Sequence, residues 1–261
     1  MEEDPSEIWE NLSAWWDNDI GDGDKFHREL IFPSMMELLQ SNDYSYLLDI
    51  GCGNGALLRF LYKKGATYVG VDYSKTFIQT ARRRSEDFSS ILYQQCDATK
   101  LNALKQISTI INPAIKFDVI ICSMVMHDLS SIDALYEALP HLLKGNGQFV
   151  FAIPSPHYNS VYNSIYNGND IGVLTTAYDV GIMKMEKAKP SQPYAQCNFH
   201  RSLSSYINPL AQKGFSLTEI REPVATDSAL IKSSNFWRVA SKIPQVLICS
   251  FKYQPLRTSI L

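Results

Sequence analysis

Three aspartates carry most of the chemistry that this sequence offers: Asp49 in "LLDIGCGNG", Asp72 in "VGVD" and Asp97 in "QQCDA". Each closes a short apolar run that reads as a strand. Gly51, Gly53 and Gly55 follow the first acid, so the chain turns there with bare backbone exposed to whatever it holds. Gly51, Gly53 and Ala56 also satisfy G-x-G-x-x-G/A, the dinucleotide fingerprint, with an acid about 20 residues on at Asp72. Asp49 argues against a dinucleotide. A pyrophosphate on a helix N-terminus is drawn by positive backbone dipoles, and a carboxylate at the mouth of the same turn opposes it. A cationic ligand suits that carboxylate better. Asp72 is placed to accept both hydroxyls of a ribose, or else to cap the next helix. Asp97, beside Ala98, either accepts from an exocyclic adenine amine or opens a helix through an Asx-turn.

These acids act together only if the elements bring them to one edge. Strand-like "YLLDI" leads to a helical "GALLRFLYKKG" that stops at Gly65. "TYVGVD" follows, then a helix "SKTFIQTARRRSEDF" capped by Ser74, then "ILYQQ". A helical segment near 100–111 leads to "FDVIICS", a helix over 131–144 and "GQFVFAI". This alternation implies right-handed βαβ crossovers and an α/β sheet, mostly parallel, with helices on both faces. Residues 5–40 read as helices carrying Trp9, Trp15 and Trp16, interrupted by "GDGD" at 21–24. Residues 154–200 are rich in Tyr, Asn, Gly and Pro without a period, as functional covers often are. A helix over 202–213 precedes "FSLTEIRE", and a Ser/Ala-rich segment with Phe236 and Trp237 precedes "QVLICSFKY". The last two strands are expected as a terminal antiparallel hairpin at the sheet edge. The whole, 1–261, reads as one domain: an N-terminal helical flap (1–45), a core (46–153), and covering insertions at 154–200 and 224–244.

In doubly wound sheets ligands lie outside the carboxyl ends of the strands, so Asp49, Asp72 and Asp97 should line one crevice. An adenosine with cationic groups and no phosphate fits it, and S-adenosylmethionine is that molecule. "LLDIGCGNG", the later "GVD" and "CDA", and "FDVIICSMVMHDL" closely resemble the class I S-adenosylmethionine-dependent methyltransferases. The family's D/E-x-G-x-G-x-G motif is matched at Asp49, Gly51, Gly53 and Gly55. "LLKGNGQFVF" is similar to the family's turn before the fifth strand, with Asn146 where a second glycine or a proline is more common. The helical N-terminus and "HRELIFP" look similar to small-metabolite members, including the ubiquinone-biosynthesis type. The resemblance implies a Rossmann-like seven-stranded sheet flanked by helices. It implies cofactor contacts at Asp49, Gly51, Cys52, Gly53, Gly55, Asp72, Tyr73, Asp97, Ala98 and Ser123. Arg28 either meets the cofactor carboxylate or forms a surface ion pair.

Methyl transfer is an in-line displacement at a carbon already activated by the sulfonium, so positioning and exclusion of water dominate. A base matters when the acceptor is a hydroxyl of high pKa. The resemblance puts "CSMVMHDL" at the floor of the site. There His127 is a candidate base or acceptor-orienting group, unless it only packs. His157 in "PSPHY" is the second candidate. Trp15, Trp16, Tyr158, Tyr162, Tyr166 and Trp237 are candidate walls for an aromatic or polycyclic acceptor. The position of the [DNS]-P-P-[YFW] loop of adenine-directed enzymes reads "SMVM", which argues against DNA methylation. A nicotinamide-dependent oxidoreductase on the same turn, and a non-catalytic S-adenosylmethionine-binding regulator, stand as alternatives.

Composition narrows the rest. The 261 residues are 45% hydrophobic and 20% charged, with net charge -3, so nothing draws the whole chain to a phosphate backbone. "ARRR" at 81–84 reads as the solvated end of a helix. The five cysteines are scattered without a CxxC pair, which suggests neither disulfides nor a metal site. The acidic start "MEEDPSEIWE" resembles no secretory or transit leader. No apolar run approaches the ~20 residues a bilayer requires. A cytoplasmic enzyme with a small-molecule acceptor, and neither nucleic acid nor membrane as partner, is expected.

Overall fold

The structure is a computed structural model that describes residues 5–40, 43–156 and 183–255. Its centre is a seven-stranded sheet. β1 (Tyr46–Ile50), β2 (Thr67–Asp72), β3 (Ile91–Gln95), β4 (Phe117–Ser123) and β5 (Leu143–Pro154) are parallel to one another and nearly continuously buried, as strands covered on both faces must be. β8 (Phe215–Arg221) and β9 (Val246–Tyr253) complete it in the order β3-β2-β1-β4-β5-β9-β8. The expected antiparallel pair is present, but it is not a simple edge hairpin. β9 inserts between β5 and β8 and runs antiparallel to both.

Helices cover both faces. One core packs α2 (Phe32–Gln40), α3 (Ala56–Leu61) and α4 (Lys75–Arg84) on one side of the sheet, with α8 (Ser228–Ser233) and α9 (Asn235–Ala240). The other packs α5 (Leu101–Lys105), α6 (Asp133–Leu142) and α7 (Leu203–Gln212) on the opposite side. Ser74 caps α4 as expected, its hydroxyl accepting from the Phe77 amide at 3.0 Å. Other boundaries differ from the sequence reading. The helix after the glycine turn stops at Leu61 rather than at Gly65, and the segment near 100–111 splits into α5 and a 3-10 turn over Ile107–Ile110. Asn146 adopts a left-handed conformation at φ 63° in the turn that opens β5, a geometry asparagine tolerates better than most residues.

Two features have no signature in the sequence. Within the aperiodic stretch, β6 (Met183–Glu186) and β7 (Gln196–Phe199) form a separate two-stranded antiparallel sheet. The N-terminal helix α1 (Pro5–Ile20) packs against α4 and β7, burying Ile8, Leu12 and Trp16 with Phe77, Cys197 and Phe199. A π-helical turn (His27–Ile31) then joins the "GDGD" corner to α2. The arginines of α4 form the expected solvated end only in part. Arg84 grips Asp17 of α1 through two hydrogen bonds, and Arg82 donates to the Tyr93 carbonyl at 2.6 Å. Arg82 and Arg83, both exposed, fit the expectation, and Arg84 does not. No described helix is long and apolar enough to cross a membrane.

Candidate active site

A cavity of about 1030 Å³ lies over the carboxyl ends of β1, β2, β3 and β4. Asp49, Gly51, Cys52, Gly53, Asp72, Tyr73, Asp97, Ala98, Ser123 and His127 all line it. Parallel register puts the strand-end acids side by side: Asp49 pairs across from Gly70, two residues before Asp72, and Asp72 pairs with Gln95, two before Asp97. The β1 turn and the β2 acid are physically joined, because the Gly53 amide donates to Asp72 Oδ2 at 2.9 Å. The Ser74 amide takes the other oxygen, Oδ1, also at 2.9 Å.

Each glycine of the turn has its own reason. All three have positive φ. A Cβ at Gly51 would lie 2.2 Å from Val125 Cγ2, and one at Gly55 would lie 2.2 Å from the Tyr93 hydroxyl. Packing alone therefore demands those two. A Cβ at Gly53 would meet nothing, so this backbone stands open to the cavity. Gly55 does not line the cavity. It serves as the N-cap of α3.

Electrostatics sharpen the picture. Asp49 is 2% exposed and its Oδ1 has no hydrogen-bond partner among the described residues. Burial, with Asp72 nearby, pushes its carboxyl up to about 8. Burial also raises Asp72, to about 6, against the pull of its two amide donors. Asp49 is thus neutral at physiological pH until a cation arrives to hold its charge. Seven acids line the cavity (Asp19, Asp24, Asp49, Asp72, Asp97, Asp128 and Glu186) against three lysines (Lys25, Lys100 and Lys189). Even with the Asp49 and Asp128 carboxyls neutral, five acids against three lysines disfavour a pyrophosphate and favour a positively charged ligand. Asp97 makes the Asx-turn weighed from the sequence: Oδ1 accepts from the Thr99 amide at 2.8 Å and its hydroxyl at 2.6 Å.

The loop after β4 forms the floor. His127 is 7% exposed, and its Nδ1 has no partner among the described residues. Burial, aided by the Arg201 charge, lowers its proton affinity to about 3. Asp128 lies 3.6 Å from its Nε2, too far for a hydrogen bond, and burial raises that carboxyl well above the usual range. The buried pair is therefore neutral on both sides, which suits hydrogen bonding to an acceptor better than removing its proton. Arg201, absent from the sequence reading, holds this loop. Its guanidinium donates to the carbonyls of Met126 at 2.9 Å, Leu129 at 2.5 Å and Ser130 at 3.0 Å.

Three segments close the cavity from above. Trp9, Trp16 and Phe26 come from the N-terminal region, Glu186, Lys189, Gln196 and Asn198 from the β6–β7 sheet, and Phe236 and Trp237 from α9. Of the expected walls, Trp16 and Trp237 line the cavity and Trp15 does not. His157, Tyr158, Tyr162 and Tyr166 lie outside the described residues. Arg28 does not reach the cavity. Its guanidinium donates instead to the Gly23 carbonyl at 2.8 Å and the Asp22 carbonyl at 3.2 Å, which fixes the "GDGD" corner. Asn54 ties the glycine turn to the N-terminal cover, donating to Asp17 Oδ1 and the Gly21 carbonyl, each at 2.8 Å. Among the described residues, no group of three or more His, Cys, Asp or Glu is suited to hold a metal ion.

This sheet order, with its glycine turn and strand-end acids, is that of the Rossmann-like methyltransferase fold. Residues 48–149 match the family model described as a methyltransferase domain. The chain is 25% identical over 154 residues to the ubiquinone biosynthesis O-methyltransferase of Coxiella burnetii, covering 58% of this chain and 61% of that protein. It thus spans about three fifths of the length of the curated relatives it matches. Among solved structures it is similar to the S-adenosylmethionine dependent methyltransferase from Mesorhizobium loti, with 20% identity, TM-score 0.59 and coverage of 84% of this chain and 96% of that one. It is also similar to the N-methyltransferase NodS from Bradyrhizobium japonicum WM9 in complex with S-adenosyl-L-homocysteine, with 18% identity, TM-score 0.58 and coverage of 95% and 98%.

Proposed function

We propose that the chain transfers a methyl group from S-adenosylmethionine to an O, N or C atom of a small aromatic or polycyclic metabolite. The observation that carries this reading is the unpartnered carboxyl of Asp49 inside a glycine turn, with Asp72 and Asp97 at the neighbouring strand ends. When bound, the cofactor supplies a methyl carbon already activated for displacement. The residues fit it: Asp49 faces the cationic amino-acid end, the open Gly53 backbone and Asp72 take the ribose, and Asp97 with Ala98 flanks the adenine. Cys52, Tyr73 and Ser123 complete the wall.

Segments 1–45, 154–200 and 224–244 act in this reading as the acceptor cover, and the indoles and phenyl rings that the first and last of them bring suit a planar acceptor. The similarity to the ubiquinone biosynthesis O-methyltransferase of Coxiella burnetii supports a small-molecule acceptor. His127 orients the acceptor through neutral hydrogen bonds. His157 remains the second candidate. A nicotinamide dinucleotide is disfavoured by the carboxylates around the turn.

Calorimetry with S-adenosylmethionine, its demethylated product and NAD, followed by product mass, tests the proposal. Saturable binding of the first two and a methyl-sized mass gain in the acceptor support it. Binding without any methylated product would favour a regulatory role, and binding of NAD alone would refute it.

A further inference from the structure

His27 stands where the "GDGD" corner enters the π-helical turn, and its backbone amide and ring both meet Asp24. The His27 amide donates to Asp24 Oδ1 at 3.0 Å, and the ring Nδ1 lies 2.7 Å from the same oxygen. The other oxygen, Oδ2, accepts from Lys189 Nζ at 2.8 Å. Lys189 also pairs with Asp19 of α1. Burial works against charge on Asp24, but the His27 and Lys189 bonds outweigh it and hold the carboxyl well below the usual range. In a neutral ring, a carboxylate fixed on Nδ1 favours the Nδ1–H tautomer, whose lone pair is on Nε2. Among the described residues Nε2 makes no hydrogen bond, and His27 lines the cavity.

The surroundings point to the partner of that lone pair. The His27 ring lies 5.6 Å from Phe32, and Phe26, next to it in the chain, lies 6.3 Å from Phe236. Phe236 in turn meets Trp237 edge-on at 5.1 Å. The His27 ring is thus flanked by Phe26 and Phe32, and Phe236 and Trp237 extend the same run of rings along the cavity, a lining suited to a flat aromatic group. The π-helical turn that begins at His27 is a rare geometry that recurs at functional sites. His127 lacks such an orienting carboxylate, since Asp128 lies 3.6 Å from its Nε2, too far for a hydrogen bond.

We propose that His27, oriented by Asp24, is the base that deprotonates a hydroxyl borne on an aromatic ring, which makes this chain an O-methyltransferase. This rests on the methyl-transfer reading above. The acceptor O–H bond breaks and its proton passes to His27 Nε2. The oxygen lone pair forms the new O–CH₃ bond as the carbon–sulfur bond breaks. That bond's electron pair goes to sulfur, cancels the sulfonium charge and leaves a thioether. Asp24 is a positioning residue, and Lys189 locks it from the covering sheet.

Two readouts test this on the full-length protein. Two-bond ¹H–¹⁵N spectra of histidine-labelled protein report the ring tautomer. The Nδ1–H form is expected for His27, assigned by its loss in His27→Gln, and Asp24→Asn is expected to abolish that preference. An Nε2–H tautomer in the wild type would overturn the proposal. Turnover is then followed with labelled S-adenosylmethionine and a panel of catechols, phenols and arylamines. Product on oxygen is expected, with kcat falling ~10²–10⁴-fold in His27→Gln while S-adenosylmethionine affinity is retained. Methylation on nitrogen alone, no product from any hydroxyarene, or unchanged kcat in His27→Gln would each refute it. Failure of the wild type to bind S-adenosylmethionine would instead refute the broader methyl-transfer reading.

Discussion

The Gly53 amide donates to Asp72 across 2.9 Å, so the turn after β1 and the acid after β2 form one rigid unit. Neither residue can move without the other. A ligand resting on the open Gly53 backbone therefore meets an Asp72 carboxylate already fixed in place. Asp72→Ala is expected to weaken S-adenosylmethionine binding by about 1–3 kcal/mol, through loss of charge-assisted hydrogen bonds and of this preorganisation. Calorimetry reads the change directly, and an unchanged Kd would contradict it.

The two glycines before that unit should separate stability from binding. Gly51→Ala brings a methyl onto Val125 at positive φ and should lower folding stability by about 1–3 kcal/mol. Gly53→Ala meets open space and pays mainly for its φ of 52°, roughly 1 kcal/mol, yet places a methyl where the ligand must approach. Thermal denaturation should rank Gly51→Ala as the less stable variant. Ligand titration should rank Gly53→Ala as the weaker binder relative to its stability.

Asp49 predicts an unusual pH dependence. Its carboxyl is raised from 3.8 in the ordinary state to about 8 in the fold. Between those values the native protein binds a proton that the unfolded chain has lost, so stability falls as pH rises through that window. Asp72 adds in the same direction between 3.8 and about 6. Ligand-free protein should therefore melt lower at pH 8 than at pH 5.5. Asp49→Asn should flatten the difference while weakening S-adenosylmethionine binding.

Arg201 predicts a structural defect at a distance from the ligand. Arg201→Met removes the donors to the Met126, Leu129 and Ser130 carbonyls and should cost about 2–4 kcal/mol. Hydrogen exchange should show the loss centred on residues 126–130. His127→Ala, by contrast, should leave cofactor affinity intact and reduce turnover roughly 10–100-fold, as expected for an orienting group rather than a base.

Much of the ligand end was legible because its signals are local. Asp49, Asp72 and Asp97 each close an apolar run, and parallel register alone aligns them. The acceptor end was not, because its pairs are remote in sequence. Lys189 reaches Asp24 from 165 residues away, and Arg201 reaches Met126 from 75. The β6–β7 sheet is short: Met183–Glu186 alternates apolar and polar residues, but four residues inside an aperiodic stretch are too few to announce a strand. Arg28 had the right charge, but its reach was spent on two local carbonyls.

The account turns on a neutral Asp49 that ionises to meet a cation. Calorimetric titration of S-adenosylmethionine at pH 7, in buffers of different ionisation enthalpy, measures that directly. Net proton release on binding, abolished in Asp49→Asn, is the result expected. Binding with no proton release, or tighter binding of NAD than of S-adenosylmethionine, would contradict it.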